Sequence, residues 1–66
     1  MRVTLNGRSQ EAEPGETVAS LLDRLGLAAK YALVERNGEP VERSLYGETT
    51  LSDGDSLVVA RPVAGG

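Results

Sequence analysis

Few residues in this chain could do chemistry, and their spacing is poor for catalysis. Cys and His are both absent, which removes thiol nucleophiles, disulfides, Cys/His zinc sites and imidazole bases together. Asp53 and Asp55 flank a glycine, and Glu11 and Glu13 stand two apart. Carboxylates at i and i+2 can begin a calcium loop, but the other oxygen ligands at fixed offsets are missing. These acids therefore read as a turn and a solvated strand face. The serines have no imidazole to activate them. Lys30, the single lysine, would need a desolvating pocket to act as a Schiff-base amine. No G-x-G-x-x-G or G-K-[ST] run is present to cradle a phosphate. Tyr31 and Tyr46 read as partial core or rim residues. What is left is the pair Gly65-Gly66 at the C-terminus. Two residues without Cβ make a thin, pliable strap that can enter a narrow channel and deliver a terminal carboxylate. That carboxylate is a competent nucleophile toward an activated phosphate, and it suits a carrier on which another protein does the chemistry.

The length agrees with a carrier. Sixty-six residues make one small domain, whose core rarely supplies more than ~3–5 kcal/mol. Such a core can hardly enclose an active site. A net charge of −3 and only two aromatic residues argue against nucleic acid, which asks for a basic footprint and stacking rings. There is no long apolar run and no signal-peptide pattern, so a soluble, cytoplasmic protein without membrane contact is expected.

The elements that must position the tail are legible from periodicity. Met1 to Leu5 alternates, with Met1, Val3 and Leu5 on one side, as a half-buried strand does. Asn6-Gly7 is a hairpin signal, since a type I′ turn needs positive φ at both central residues. Arg8 to Glu13 returns as a weakly apolar edge strand with Ala12 facing in. Pro14-Gly15 breaks it, and Thr17 is placed to cap a helix. Val18, Leu21, Leu22 and Leu25 form its buried stripe, while Gly26 and Leu27 fit a helix C-terminus. Tyr31 to Arg36 reads as a strand with Ala32 and Val34 on one face. Asn37-Gly38 turns it into a short return limited to an edge by Pro40. Glu42 to Thr50 has no clean period, and Leu45 is its expected buried anchor. After the Asp53-Gly54-Asp55 turn, Ser56 to Arg61 is the last strand, and Pro62 ends its ladder. Leu57 and Val59 should face the helix. Val58 and Ala60, joined by Leu33, should then leave an apolar docking patch on the open face beside Pro62 and the tail. This order predicts an α+β fold in which one helix crosses one mixed sheet of four or five strands. A β-grasp fits it best, with the first and last strands parallel at the centre. Residues 1–62 are expected to form the domain and 63–66 a projecting tail.

Several stretches together resemble the ThiS family of ubiquitin-like sulfur carriers in thiamine (thiazole) biosynthesis. They are Asn6-Gly7, Pro14-Gly15-Glu16-Thr17-Val18, Leu21-Leu22, Val34-Glu35-Arg36-Asn37-Gly38-Glu39-Pro40-Val41, Leu51-Ser52-Asp53-Gly54-Asp55 and Val63-Ala64-Gly65-Gly66. The resemblance spans essentially the whole chain and implies a β-grasp. It further implies that Gly66 is adenylated by a ThiF-type enzyme using ATP and magnesium, with Gly65, Ala64 and Val63 threading into that enzyme. A persulfide protein would then supply sulfur for a terminal thiocarboxylate, which a ThiG-type thiazole synthase consumes. The carrier would bind no cofactor itself, would not be an enzyme, and would be a monomer when free. The tail from Pro62 is also similar to that of MoaD, the small subunit of molybdopterin synthase, and carriers for tRNA thiolation or cysteine synthesis share the fold and ending. A ubiquitin-like tag joined to lysines through Gly66 is the alternative of another class.

Overall fold

A computed structural model of the chain describes residues 1–61. Among these residues five strands form one sheet: β1 (Arg2–Leu5), β2 (Arg8–Glu11), β3 (Leu33–Arg36), β4 (Glu39–Val41) and β5 (Ser56–Ala60), with a single α-helix, α1 (Val18–Arg24). Their spatial order is β2-β1-β5-β3-β4. β1 and β5 run parallel in the register Thr4↔Ser56 and Leu5↔Leu57, and every other pair is antiparallel. This is the expected β-grasp, with the first and last strands side by side and β5 central.

Both Asn-Gly signals do what their chemistry demands. Asn6 and Gly7 lie at φ 51° and 83°, and Asn37 and Gly38 at 53° and 85°, the left-handed geometry of a type I′ hairpin. Thr17 caps α1, and its hydroxyl accepts from the Ser20 N–H at 3.1 Å while the Ser20 hydroxyl accepts from the Thr17 N–H at 2.9 Å. The other two free donors of the first turn go to a distant loop. Val18 N–H donates to Thr49 O, and Ala19 N–H to Tyr46 O. The helix start is therefore closed by the chain itself. At the other end Gly26 N–H bonds Asp23 O and Leu27 N–H bonds Leu22 O, a Schellman closure with Gly26 at φ 74°.

Val18, Leu21 and Leu22 of α1 meet Val3, Val34 and Leu57 of the sheet, with Ala12, Ala32, Tyr46 and Leu51 completing the core. Glu16 is buried beside it. Two bonds of 3.0 Å from Arg24 and one from the Glu13 N–H hold its carboxyl below the usual range, against the opposing effect of burial. The Pro14-Gly15 turn is thereby tied to the helix.

Four expectations need correction. Leu45 is not the anchor of the 42–50 segment; it is 42% exposed, whereas Tyr46 is 3% exposed. Arg43–Leu45 forms a 3₁₀ turn, in which successive side chains point about 120° apart. One residue therefore faces in and its neighbour faces out. Tyr46 wins the inner place because its hydroxyl can donate to Ala32 O at 2.8 Å, while Leu45 lines an open groove with Val41 and Thr49. Tyr31 likewise does not start a strand. It ends a 3₁₀ turn at Ala29–Tyr31 and is 59% exposed, with the Lys30 ammonium 5.6 Å from its ring. β2 stops at Glu11, because its partner β1 begins at Arg2; Ala12 still faces in, bonded on both sides to Met1. β5 ends at Ala60, one residue early.

Removing the buried hydroxyl by Tyr46→Phe leaves the Ala32 carbonyl with only the longer bond from Arg43 Nη2, at 3.4 Å. It should lower stability by about 1 kcal/mol, seen as a lower urea midpoint at unchanged slope.

Candidate functional site

The region that could serve a carrier is β5, the strand leading to the C-terminal residues. Gly66, Gly65, Ala64, Val63 and Pro62 lie outside the described residues. The root from which they extend is well defined. Leu57 is 1% exposed and Val59 half-buried, whereas Val58 is 47% exposed and Ala60 exposed. Leu33, 54% exposed, stands opposite Ala60, and Glu35 stands opposite Val58. These residues share the outer face of the sheet, away from α1, by the two-residue period of strands. They line a shallow groove of about 330 Å³ together with Pro40 and Val41. Sequence reasoning had Leu33, Val58 and Ala60 on this face but missed Pro40, whose pairing opposite Glu35 depends on hairpin register.

Two turn asparagines, also missed, hold the ends of β5. Asn37 accepts from Ser56 N–H through Oδ1 at 2.9 Å and donates to Ser56 O through its main-chain N–H at 2.7 Å. Asn6 accepts from Val59 N–H through Oδ1 at 2.9 Å and donates to Val59 O through Nδ2 at 3.1 Å. The signal for both was the Asn of Asn-Gly: its turn preference was legible, and its second job was not.

Asp55 closes the expected turn, its N–H bonded to Ser52 O at 3.0 Å, but its carboxylate is buried. Its side chain is 7% exposed and accepts from Ser52 N–H and Arg36 Nε, each at 2.8 Å, and from Asn37 Nδ2 at 3.0 Å. Burial by itself would push this carboxyl up, but the bonds from Ser52, Asn37 and Arg36 outweigh it and hold the group below its ordinary range. Asp53 is different. Its carboxylate accepts from the Arg2 N–H at 2.9 Å and remains exposed. Glu11 is exposed beside Arg2 and the N-terminal amine. Among the described residues no cluster of three or more carboxylates could hold a metal ion, no buried side-chain polar atom lacks a partner, and no helix is long and apolar enough to cross a membrane.

Comparison with known proteins agrees with this geometry. The thiazole synthase of Magnetococcus marinus is 39% identical over all 66 residues, which correspond to 20% of that protein. The chain thus spans about one fifth of the length of the thiazole synthases it matches. The sulfur carrier protein ThiS of Escherichia coli is 27% identical, with both chains covered in full. The crystal structure of the thiamine biosynthesis protein ThiS from Geobacter metallireducens is similar with a TM-score of 0.85 at 36% identity, again over the whole of both chains. The model of the ThiS family matches residues 3–66. Sheet order, hairpin chemistry and a match running through Gly66 lead to one assignment: the chain belongs to the ThiS family.

Proposed function

We propose that this chain is a sulfur carrier for thiazole formation in thiamine biosynthesis, with the Gly66 carboxylate as its working group. The observation that carries the reading is the family match, which runs from β1 through Gly66 itself. A carboxylate is a poor acyl donor. Attack by one of its oxygens on the α-phosphorus of ATP, with loss of pyrophosphate, gives an acyl adenylate with AMP as leaving group. The terminal sulfur of a persulfide protein then displaces AMP to give an acyl disulfide; a thiol attacks the persulfide protein's own sulfur, forming a disulfide with it and releasing the thiocarboxylate. A ThiF-type enzyme with magnesium would perform the first step. The acceptor would be a ThiG-type synthase; a similar sequence forming part of a thiazole synthase chain supports that partner.

In this reading residues 1–62 are the presenting domain and 63–66 the segment that threads, with Gly65 and Gly66 keeping it thin. The carrier supplies no catalytic group and binds no cofactor; ATP and magnesium belong to the activating enzyme. It works in the cytoplasm as a free monomer that visits its partners in turn, through small transient interfaces. The test is incubation with the activating enzyme, ATP, magnesium and a persulfide donor, followed by intact-mass analysis. An oxygen-to-sulfur exchange at the C-terminus is expected, and its absence with an active cognate enzyme overturns the reading. An isopeptide bond to lysine would point to a tag instead. Pyrophosphate release by the purified chain alone would contradict the non-enzymatic role.

The outer-face groove of Leu33, Val58 and Ala60 is the proposed docking surface for both partners, with Pro62, outside the described residues, assigned to it from the sequence. Val58→Asp places a charge where an apolar contact is desolvated, so affinity for each should fall about tenfold or more. Unchanged binding by titration calorimetry would remove the groove from the interface.

A further inference from the structure

We propose that Asn6 is a positioning residue for sulfur loading, because its carboxamide holds the root of the C-terminal segment in the sheet; this rests on the sulfur-carrier reading above. β1 ends at Leu5, opposite Leu57, and the chain turns away through Asn6-Gly7. β5 runs on to Ala60, so its last residues have lost their neighbour on that side. On the other side β3 still accompanies them, Val34 opposite Val59 and Leu33 opposite Ala60. The Asn6 side chain fills the missing place. One amide takes the Val59 N–H and supplies a donor to the Val59 carbonyl, at 2.9 and 3.1 Å. A two-bond closure of this kind is a surrogate for a strand residue.

The consequence is one of reach. Five residues follow Arg61, and fully extended they span at most about 17 Å. Without the clamp β3 alone holds residues 58–60, and whenever that single edge opens, nine residues lie beyond the last held position, about 31 Å. The carboxylate would then sample a much larger volume, and its effective concentration at the activating enzyme would fall. Asn37 closes the opposite end of β5, at Ser56, and does not influence that reach. The two asparagines stand at the same turn position with φ of 51° and 53°, which makes one a control for the other.

The test uses the full chain. Asn6→Gly preserves the turn, since glycine takes positive φ freely, and deletes the carboxamide. Asn37→Gly does the same at the other end and also withdraws a bond from Asp55, so it should be at least as destabilised. Amide hydrogen exchange by NMR should show Val59 exchanging about tenfold faster or more in Asn6→Gly. With activating enzyme, Mg-ATP and persulfide donor, at a temperature where both variants are folded, kcat/KM for thiocarboxylate formation should fall about five- to tenfold in Asn6→Gly. Asn37→Gly should load at the wild-type rate. Wild-type loading by Asn6→Gly overturns the proposal, as does an equal loss in Asn37→Gly. If wild-type protein itself is never loaded, the sulfur-carrier reading fails instead, and unchanged Val59 exchange in Asn6→Gly would then overturn the clamp separately.

Discussion

Deleting Gly66 should abolish thiocarboxylate formation while leaving the domain folded. The deletion draws the terminal carboxylate back by about 3.5 Å, and misplacement of a reacting group by ~1 Å already costs on the order of 10²-fold in rate. A loss of more than about 10²-fold is therefore expected, with only unmodified chain in the intact-mass spectrum. Gly65→Trp should act similarly for a steric reason: a bulky side chain closes the approach of the backbone to the nucleotide site. Both changes leave the described core residues Val3, Val18, Leu21, Leu22 and Leu57 intact, so stability should change by less than ~0.5 kcal/mol. Thiocarboxylate forming on the shortened chain at a wild-type rate would show that Gly66 is not the acceptor.

The second large effect concerns Asp55. Asp55→Ala leaves three donors facing an empty place: the Ser52 N–H, Arg36 Nε and Asn37 Nδ2. Arg36 keeps some contact with water, its side chain being 31% exposed, so the loss falls at the lower end of the range for broken buried pairs, about 3 kcal/mol. In a domain whose core supplies only ~3–5 kcal/mol, that is enough to bring it to the edge of unfolding. Asp55→Asn retains size and one acceptor and should lose about 1–2 kcal/mol. Urea titration of the three proteins gives the order directly.

Acid should act on the same group. The folded-state pKa of Asp55 lies below its ordinary value, so the unfolded chain binds the proton more tightly. Its contribution is complete above the unfolded carboxylate pKa of about 3.9 and is lost as pH falls through the folded value. Glu16, also lowered, has the same sign. Wild-type stability should therefore drop below about pH 4, and Asp55→Asn should show a shallower fall. Equal slopes for the two proteins would mean that Asp55 is not a principal acid trigger.

Local pattern by itself determined the helix, the strands and their inward faces, but not the turns at Ala29–Tyr31 and Arg43–Leu45. Alternation placed Val3 inward and Arg2 outward; the i, i+3, i+4 stripe placed Val18, Leu21 and Leu22 in the core; Thr17 and Gly26 marked the helix ends. These are legible because propensity, capping and side-chain period act over a few neighbouring residues. From the order of those elements the parallel pairing of β1 with β5 also followed. Only the tertiary structure decided which polar atoms meet across the fold. Asn6 and Val59 are 53 positions apart and Asn37 and Ser56 are 19 apart, while Tyr46 displaces Leu45 from the core by finding an acceptor on Ala32. Asp55 is buried because donors from two separate segments, Arg36-Asn37 and Ser52, converge on it. Desolvating such groups is favourable only when every partner arrives together, and that condition is a property of the closed sheet and not of any stretch of sequence.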